Sequence, residues 1–412
     1  MKTRILLDIS RSIFDAGIPT PTGVMRVDQA YAEHFLNTMP DRVLFTSKNI
    51  FGRLGFVKEC QARTLLTNTS RLWRGERASR LDCWLLRMYS IWIRVTLLWR
   101  TERRFYPELV RQGNPIVYLI VSDALLESPN MVCRLKEQTG ARFFYFVHDL
   151  IPLQFPEYFA LGIEKVFKSR IEGAAQLADV IITNSEDTRT TFLQMINPTD
   201  HIPHILVAPL GVTQPATVSS SAPSTGAPYF VIIGTIEPRK NHLLLFNIWR
   251  QLRSRLGKAA PRLVVIGRRG WENENIIDMI ERSRALAGFI EEHGRLSDAA
   301  TMKILAGARA LLMPSFAEGY GLPLAEALTI GVPAICSDIP ALREVGREVP
   351  EFIDPLDGPS WQRAILDYMP EDSPRRQAQL ERLKTWPPPS WEAHFKLLDT
   401  LIEHLGSKSP TT

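Results

Sequence analysis

Cysteine is scarce, and no two of the four, Cys60, Cys83, Cys133 and Cys336, stand close enough to make a CxxC or similar pair. The spacing gives neither a disulfide framework nor a zinc site, so a reducing compartment is expected. Long uncharged apolar runs are also missing. The nearest approach, LDCWLLRMYSIWIRVTLLW at 81–99, is broken by Asp82, Arg87 and Arg94, and a charge at a bilayer centre costs roughly 2.5–3.5 kcal/mol on insertion scales. A membrane-spanning reading of that stretch is therefore rejected. The opening MKTRILLDIS lacks an apolar region of signal-peptide length and a small-residue cleavage site, and reads as a first strand. A cytoplasmic location is the expectation.

What is present is a soluble, folded composition. Hydrophobic residues make up 45% and charged residues 23% of the chain, and 412 residues exceed one ordinary core, so two domains of roughly 150–200 residues are expected. The net charge of +5 is uneven. Residues 53–112 hold thirteen Lys and Arg against five acids, a local +8, which leaves −3 for the other 352 residues. The basic character belongs to one segment and gives no reason to expect nucleic acid as a partner.

Short apolar runs alternate with helical patterns, the signature of parallel sheets covered by helices. The first half offers RILLDI, PIVYLIV, RFFYFVH, DVIITNS and HILVAPL; the second offers YFVIIG, RLVVIG, FIEEHG, ALLMPS and PAICS. Between them lies an uncharged Ser/Thr/Pro/Ala/Gly-rich stretch that reads as a linker. The expected division is a first α/β domain at 1–212 with a basic insertion at about 53–112, a linker at 213–228, a second α/β domain at 229–385, and a final helix and tail at 386–412. Two doubly wound Rossmann-like domains would face each other across a cleft, and ligands bind such sheets beyond the carboxyl ends of the strands.

Four strand ends carry chemistry. After ALLMPS comes AEGYGLPLAEAL, with Glu318 on the loop, Pro323 at the expected helix start and Glu326 in its first turn. Free N–H groups there suit an anion, carboxylates accept hydrogen bonds from sugar hydroxyls, and Gly319 and Gly321 admit close approach. A helix-dipole role for Glu326 and a solvated-loop role for Glu318 are the plainer alternatives. After YFVIIG, the loop TIEPRKN sets Arg239 and Lys240 beside Gly234, which suits a diphosphate; such a pair is also common as plain surface charge. After RFFYFV, His148 and Asp149 face the cleft from the first domain, and His148 suits either a hydrogen bond to substrate or a structural role. After the first strand, PTPTGVMRV places Gly23 at a helix start, where a phosphate can lie.

Taken together, "GTIEPRKN", "RLVVIG", "HGRLSD", "PSFAEGYGLPLAEAL", "GVPAICSD" and "VHDLIP" resemble glycosyltransferase family 4, the retaining enzymes of GT-B fold. The resemblance covers nearly the whole chain outside residues 50–112, and Glu318 to Glu326 is its E-x7-E signature. It implies that Glu318 contacts the donor sugar and Glu326 the ribose, with Tyr320 and Leu322 on the same donor loop. Lys240 and Arg239 would neutralise the leaving diphosphate, near Gly234 and Gly23. His148 would border the transferred sugar, Asp149 the acceptor side, and Arg268, Arg295 and Leu296 the base. One departure stands out: many members carry an Arg directly after the strand glycine, where this chain has Thr235. No Asp-x-Asp occurs anywhere in the chain, so no metal and no cofactor are expected beyond the nucleotide-sugar co-substrate.

The implied reaction is transfer of a hexose, mannose first, from a nucleotide-diphosphate sugar to a glycan or glycolipid acceptor. GDP-mannose leads because "HDLIP" with "GTIEPRKN" is similar to mannosyltransferases of bacterial surface polysaccharides; UDP-sugars and dTDP-rhamnose stay open, as do a GT-B epimerase and a silent GT-B scaffold. Residues 80–104 form the remaining puzzle. As a helix they would set Trp84, Leu85, Met88, Ile91, Trp92, Val95, Leu98 and Trp99 on one face and Arg80, Arg87 and Arg94 opposite. Such a helix can lie peripherally on the anionic cytoplasmic face of an inner membrane, or pack as a core helix with a wet stripe.

Overall fold

The computed structural model describes residues 2–76, 79–122, 129–196, 202–213 and 228–407. The expected linker, 213–228, lies outside them apart from its two ends. Two sheets organise the chain. The first contains β1 (Arg4–Asp8), β2 (Val43–Lys48), β3 (Leu54–Val57), β4 (Ile116–Ile120), β5 (Arg142–Val147), β6 (Val180–Thr183) and β7 (His204–Val207), in the order β3-β2-β1-β4-β5-β6-β7. The second contains β8 (Tyr229–Ile233), β9 (Arg262–Ile266), β10 (Ile290–His293), β11 (Leu311–Met313), β12 (Ala334–Ser337) and β13 (Glu351–Ile353), in the order β10-β9-β8-β11-β12-β13.

Every pairing is parallel except β2 with β3. Both sheets are therefore doubly wound, with strand order reversing between β1 and β4 and between β8 and β11. Those reversals open a crevice where outgoing loops diverge. β1, β4 and β5 are apolar along almost their whole length and buried on both faces, as parallel strands covered by helices must be.

The ten strand segments read from the sequence all form strands. β2, β3 and β13 were not among them. β2 and β3 make a short hairpin whose turn is fixed by Asn49, its Oδ1 accepting from Phe51 N and Arg53 N, and β13 has only three residues.

The basic insertion folds as helices Glu59–Arg74, Arg80–Thr96 and Glu102–Arg111. In Arg80–Thr96 the inward seam is Leu86, Ser90 and Ile93, continued by Leu97. The wide apolar face read from the sequence is turned outward instead: Leu81, Trp84, Leu85, Met88, Ile91 and Trp92 are all exposed, and Trp99 is 69% exposed. Arg94 lies over the Phe14 ring at 4.6 Å, and Arg87 lines the cleft between the sheets. Arg94 thus packs on the protein, while Arg87 stays exposed at the cleft, so the three arginines do not share one solvent face.

The final helix, Trp391–Ser407, returns to the first sheet's side of the molecule. Leu398 and Ile402 are fully buried, Phe395 stacks on His34 at 3.9 Å, and Asp399 pairs with His34 at 3.0 Å.

Candidate functional site

The loops leaving β8 and β11 sit on either side of the strand-order reversal in the second sheet, so the topology brings them together. From β8 the chain passes through Gly234 and Thr235 into a single 3-10 turn, Pro238–Lys240. Asn241 then adopts a left-handed conformation at φ 55, held by its amide donating to Pro314 O and Pro355 O at 3.2 and 3.0 Å. Gly234 has φ 146, and a Cβ there would come 3.2 Å from Lys240 Cε. A glycine at this point lets the lysine fold back over the strand end.

From β11 the chain runs through Ser315 and Glu318 to Gly321, which starts the helix Leu322–Thr329. Pro323 is the second residue of that helix, and Glu326 falls in its second turn rather than the first, because the helix starts one residue earlier than expected, at Leu322 directly after the left-handed Gly321.

The charged residues of the two loops interlock. Glu318 receives Lys240 Nζ at 2.5 Å, Arg239 Nη1 at 3.1 Å and Ser315 Oγ at 2.6 Å. Arg239 also pairs with Glu237 at 2.6 Å and donates to Ala317 O at 2.8 Å. These groups are nearly out of water, the side chains of Glu318 and Lys240 being 6% and 8% exposed. Burial alone would raise the Glu318 pKa, but the Lys240 ammonium and Arg239 guanidinium outweigh it and hold the carboxyl down to about 2. Burial pushes the Lys240 ammonium below the usual lysine value, against the pull of Glu318, and pushes the Glu237 carboxyl up. Two cations and two carboxylates leave the cluster without net charge. The cations expected to meet a diphosphate are thus matched internally.

The first domain closes on this cluster. His148 directly follows β5, its Nε2 donating to Val121 O at 2.7 Å, which satisfies the ring at that nitrogen and fits the structural reading while leaving the residue beside the cleft. A Cβ on Gly319 would lie 2.7 Å from His148 O and 2.8 Å from Asp149 Cβ, so only glycine allows the Glu318 loop to seat here. Gly319 O accepts from Ser185 Oγ and Thr188 Oγ1, and Tyr320 Oη donates to Leu210 O at 2.8 Å. The Asp149 charge is felt by Arg239.

Across the cleft, a Cβ on Gly23 would meet Leu322 Cδ1 at 3.3 Å. Arg26, three residues on, forms a bidentate pair with Asp298 at 2.7 and 2.6 Å. Burial pushes the Glu326 carboxyl up, the Arg26 charge opposes that shift, and Asp298 adds to it.

Arg268 and Arg295 are apart from the Glu318 cluster. They line a cavity of about 530 Å³ together with Ile18, Pro19, Thr20, Arg87, Arg269, Glu292 and Gly294. Leu296 is half-buried beside it. The residues that sequence reading did not single out are Glu237, Ser315, Arg26 and Asp298, and Arg87 was read there only as part of a basic helix face. Glu237 and Ser315 lie inside the motifs already quoted, and Arg26 follows Gly23 by one helical turn.

Comparison with known proteins bears on this geometry. Residues 214–378 match the family model described as glycosyl transferases group 1. O-antigen chain mannosyltransferase B of Escherichia coli is 30% identical over 277 residues, covering 66% of this chain and 71% of that protein. Two solved structures align over 99% of this chain and the whole of theirs at 14% identity: sucrose-phosphate synthase from Thermosynechococcus elongatus, with a TM-score of 0.64, and Anabaena HepE bound to UDP and glucose, with a TM-score of 0.63. At that identity the likeness is one of fold, and the fold is GT-B.

Proposed function

Because the chain belongs to the group 1 glycosyl transferases, we propose that it moves a mannosyl residue from GDP-mannose to a hydroxyl of a lipid-linked or envelope polysaccharide, with retention at the anomeric carbon. Membership of family 4, with Glu318 and Glu326 as the E-x7-E pair, is part of that reading. The observation that carries it is the Glu318 carboxylate clasped by Lys240 and Arg239 at the strand-order reversal, seated against the His148–Asp149 loop. Similarity, at 30% sequence identity, to an O-antigen chain mannosyltransferase favours mannose.

In the proposed reaction the diphosphate replaces Glu318 on the two cations, and Glu318 turns to the sugar hydroxyls. The bond from C1 to the diphosphate breaks, the acceptor oxygen bonds C1 on the same face, and its proton passes to the leaving phosphate oxygen. Lys240 and Arg239 take up the charge gained by the leaving group, without a divalent metal. Glu326 holds the ribose, and Asp149 borders the acceptor.

The same reading places the enzyme peripherally on the cytoplasmic face of a membrane. No helix among the described residues is long and apolar enough to cross one. The outward face of Arg80–Thr96, with Trp84 and Trp92 each about half exposed, suits the headgroup boundary, where tryptophan is favoured.

A melting screen against GDP, UDP, dTDP and their sugars tests the donor, since a ligand bound only by the folded state raises the melting temperature. GDP and GDP-mannose are expected to give the largest shifts, and GDP release is expected to need a mannosyl-oligosaccharide acceptor and to persist in chelator. A shift confined to another nucleotide overturns the donor assignment, and activity that vanishes with chelator and returns with metal overturns the mechanism.

A further inference from the structure

The cavity at the ends of β9 and β10 has an excess of hydrogen-bond donors. No side-chain hydrogen bond or ion pair within the described residues engages the guanidiniums of Arg87, Arg268 and Arg295, whereas Arg269 is matched by Glu292 and Glu281. Thr20, on the same wall, keeps a buried hydroxyl without a partner. Arg87, Arg268 and Arg295 are all exposed, and the last two by themselves would be ordinary surface charge. Arg87 is different because it reaches this cavity from the inserted helix of the other domain. Its stem runs past Gly17, where a Cβ would lie 2.8 Å from Arg87 Cγ and 2.3 Å from Cys83 O. Only a glycine, here at φ 80, lets the turn after the helix Ser10–Phe14 pack this close to Arg87, which lines the cleft.

Neighbouring strands lie roughly 4.8 Å apart, so the β10 end is roughly 10 Å from β8, about what a ribose bridges. A nucleotide with its diphosphate over Arg239 and Lys240 brings its base here. Guanine presents O6 and N7 as paired acceptors, which a guanidinium grips with two parallel hydrogen bonds, and it presents N1–H and the N2 amino group as donors. Glu292 supplies the acceptor for that second edge: each of its oxygens receives one bond from Arg269, at 2.8 Å, and keeps a free lone pair.

We propose that Arg87, carried by the helix inserted between β3 and β4, determines specificity for the donor's nucleobase by gripping the O6/N7 edge of guanine. The inference rests on the GDP-mannose reading above and adds to it a base contact from the domain opposite the nucleotide sheet. It also gives the inserted helix two faces with separate duties, one toward the cleft and one outward.

Calorimetry with GDP, 7-deaza-GDP, UDP and inorganic pyrophosphate tests it on the full chain. The parent protein should bind 7-deaza-GDP, which lacks the N7 acceptor, more weakly than GDP. Arg87→Ala should weaken GDP by about tenfold or more, the scale of one bidentate base contact, and should no longer distinguish GDP from 7-deaza-GDP. Arg87→Lys keeps the stem beside Gly17 and the charge but lacks the fork, and it should lose the same discrimination. A parent that prefers UDP overturns the donor reading and the inference together. A parent that prefers GDP, with variants equally sensitive to the missing N7, overturns the inference alone. So does a loss of pyrophosphate affinity as large as the loss for GDP, which would put Arg87 on the phosphates.

Discussion

At the scale of single residues, the decisive feature is that the Glu318 carboxylate occupies the two cations assigned to the diphosphate in the proposed reaction. A buried pair of this kind contributes little net stability, because desolvation offsets most of the attraction. In the proposed reaction the carboxylate holds the two cations in place until the diphosphate replaces it. Glu318→Ala should therefore abolish turnover while raising the affinity for GDP, since Lys240 and Arg239 lose their competitor. Glu326→Ala should weaken GDP, since Glu326 holds the ribose in the proposed complex. Titration calorimetry checks both, and weaker GDP binding in Glu318→Ala would show that the carboxylate supports the nucleotide instead of competing with it.

At the scale of elements, the helix Arg80–Thr96 shows what the sequence could and could not say. Its helical period was legible, and the structure adds the cap: Ser79 Oγ accepts from Asp82 N, and Asp82 Oδ2 accepts in return from Ser79 N. Which way it faced was not. Leu86, Ile93 and Leu97 make an apolar seam as good as the wider one of Trp84, Leu85, Met88 and Trp92, and periodicity cannot rank two apolar faces of one helix. Only contact with the rest of the domain chose the narrower one.

The site divides in the same way. The strand-end loops could be placed because apolar runs end at Gly234 and Ser315. The pairing of Lys240 with Glu318 could not, because it depends on β8 lying next to β11. Short strands such as β13, Glu351–Ile353, carry too few residues for an alternation to register. The outward seam leads to a prediction at this scale. Trp84→Ser combined with Trp92→Ser should lower binding to anionic vesicles at least tenfold in co-sedimentation, with a melting temperature close to the parent's, since exposed substitutions usually change stability by under about 0.5 kcal/mol. A double variant that sediments like the parent removes the membrane contact.

At the scale of the whole molecule, the helix Trp391–Ser407 is tied to the first domain by the His34 contacts and also by a buried histidine of its own. His394 Nδ1 lies 3.1 and 3.0 Å from Ala208 O and Pro209 O. Carbonyls only accept, so Nδ1 carries the proton, and Nε2, 2.8 Å from Tyr31 Oη, accepts from that hydroxyl. A second proton on Nε2 would turn this contact into two donors facing each other. Burial is the largest cause of the resulting shift and lowers the His394 pKa from 6.5 to about 4. His242, fully buried in the second domain, is lowered to about 3, again by burial first and then by Lys240. Both groups take protons in the unfolded chain at a pH where the native chain does not. Stability is then fully present above about pH 6.5 and falls as the pH drops toward 4, the His394 share amounting to roughly 2 kcal/mol between pH 7 and pH 5. Chemical denaturation at a series of pH values should show that slope. His394→Gln, whose amide can still donate to one carbonyl without titrating, should show a shallower one. A variant with the parent's full acid dependence would shift the cause to other groups, His242 first among them.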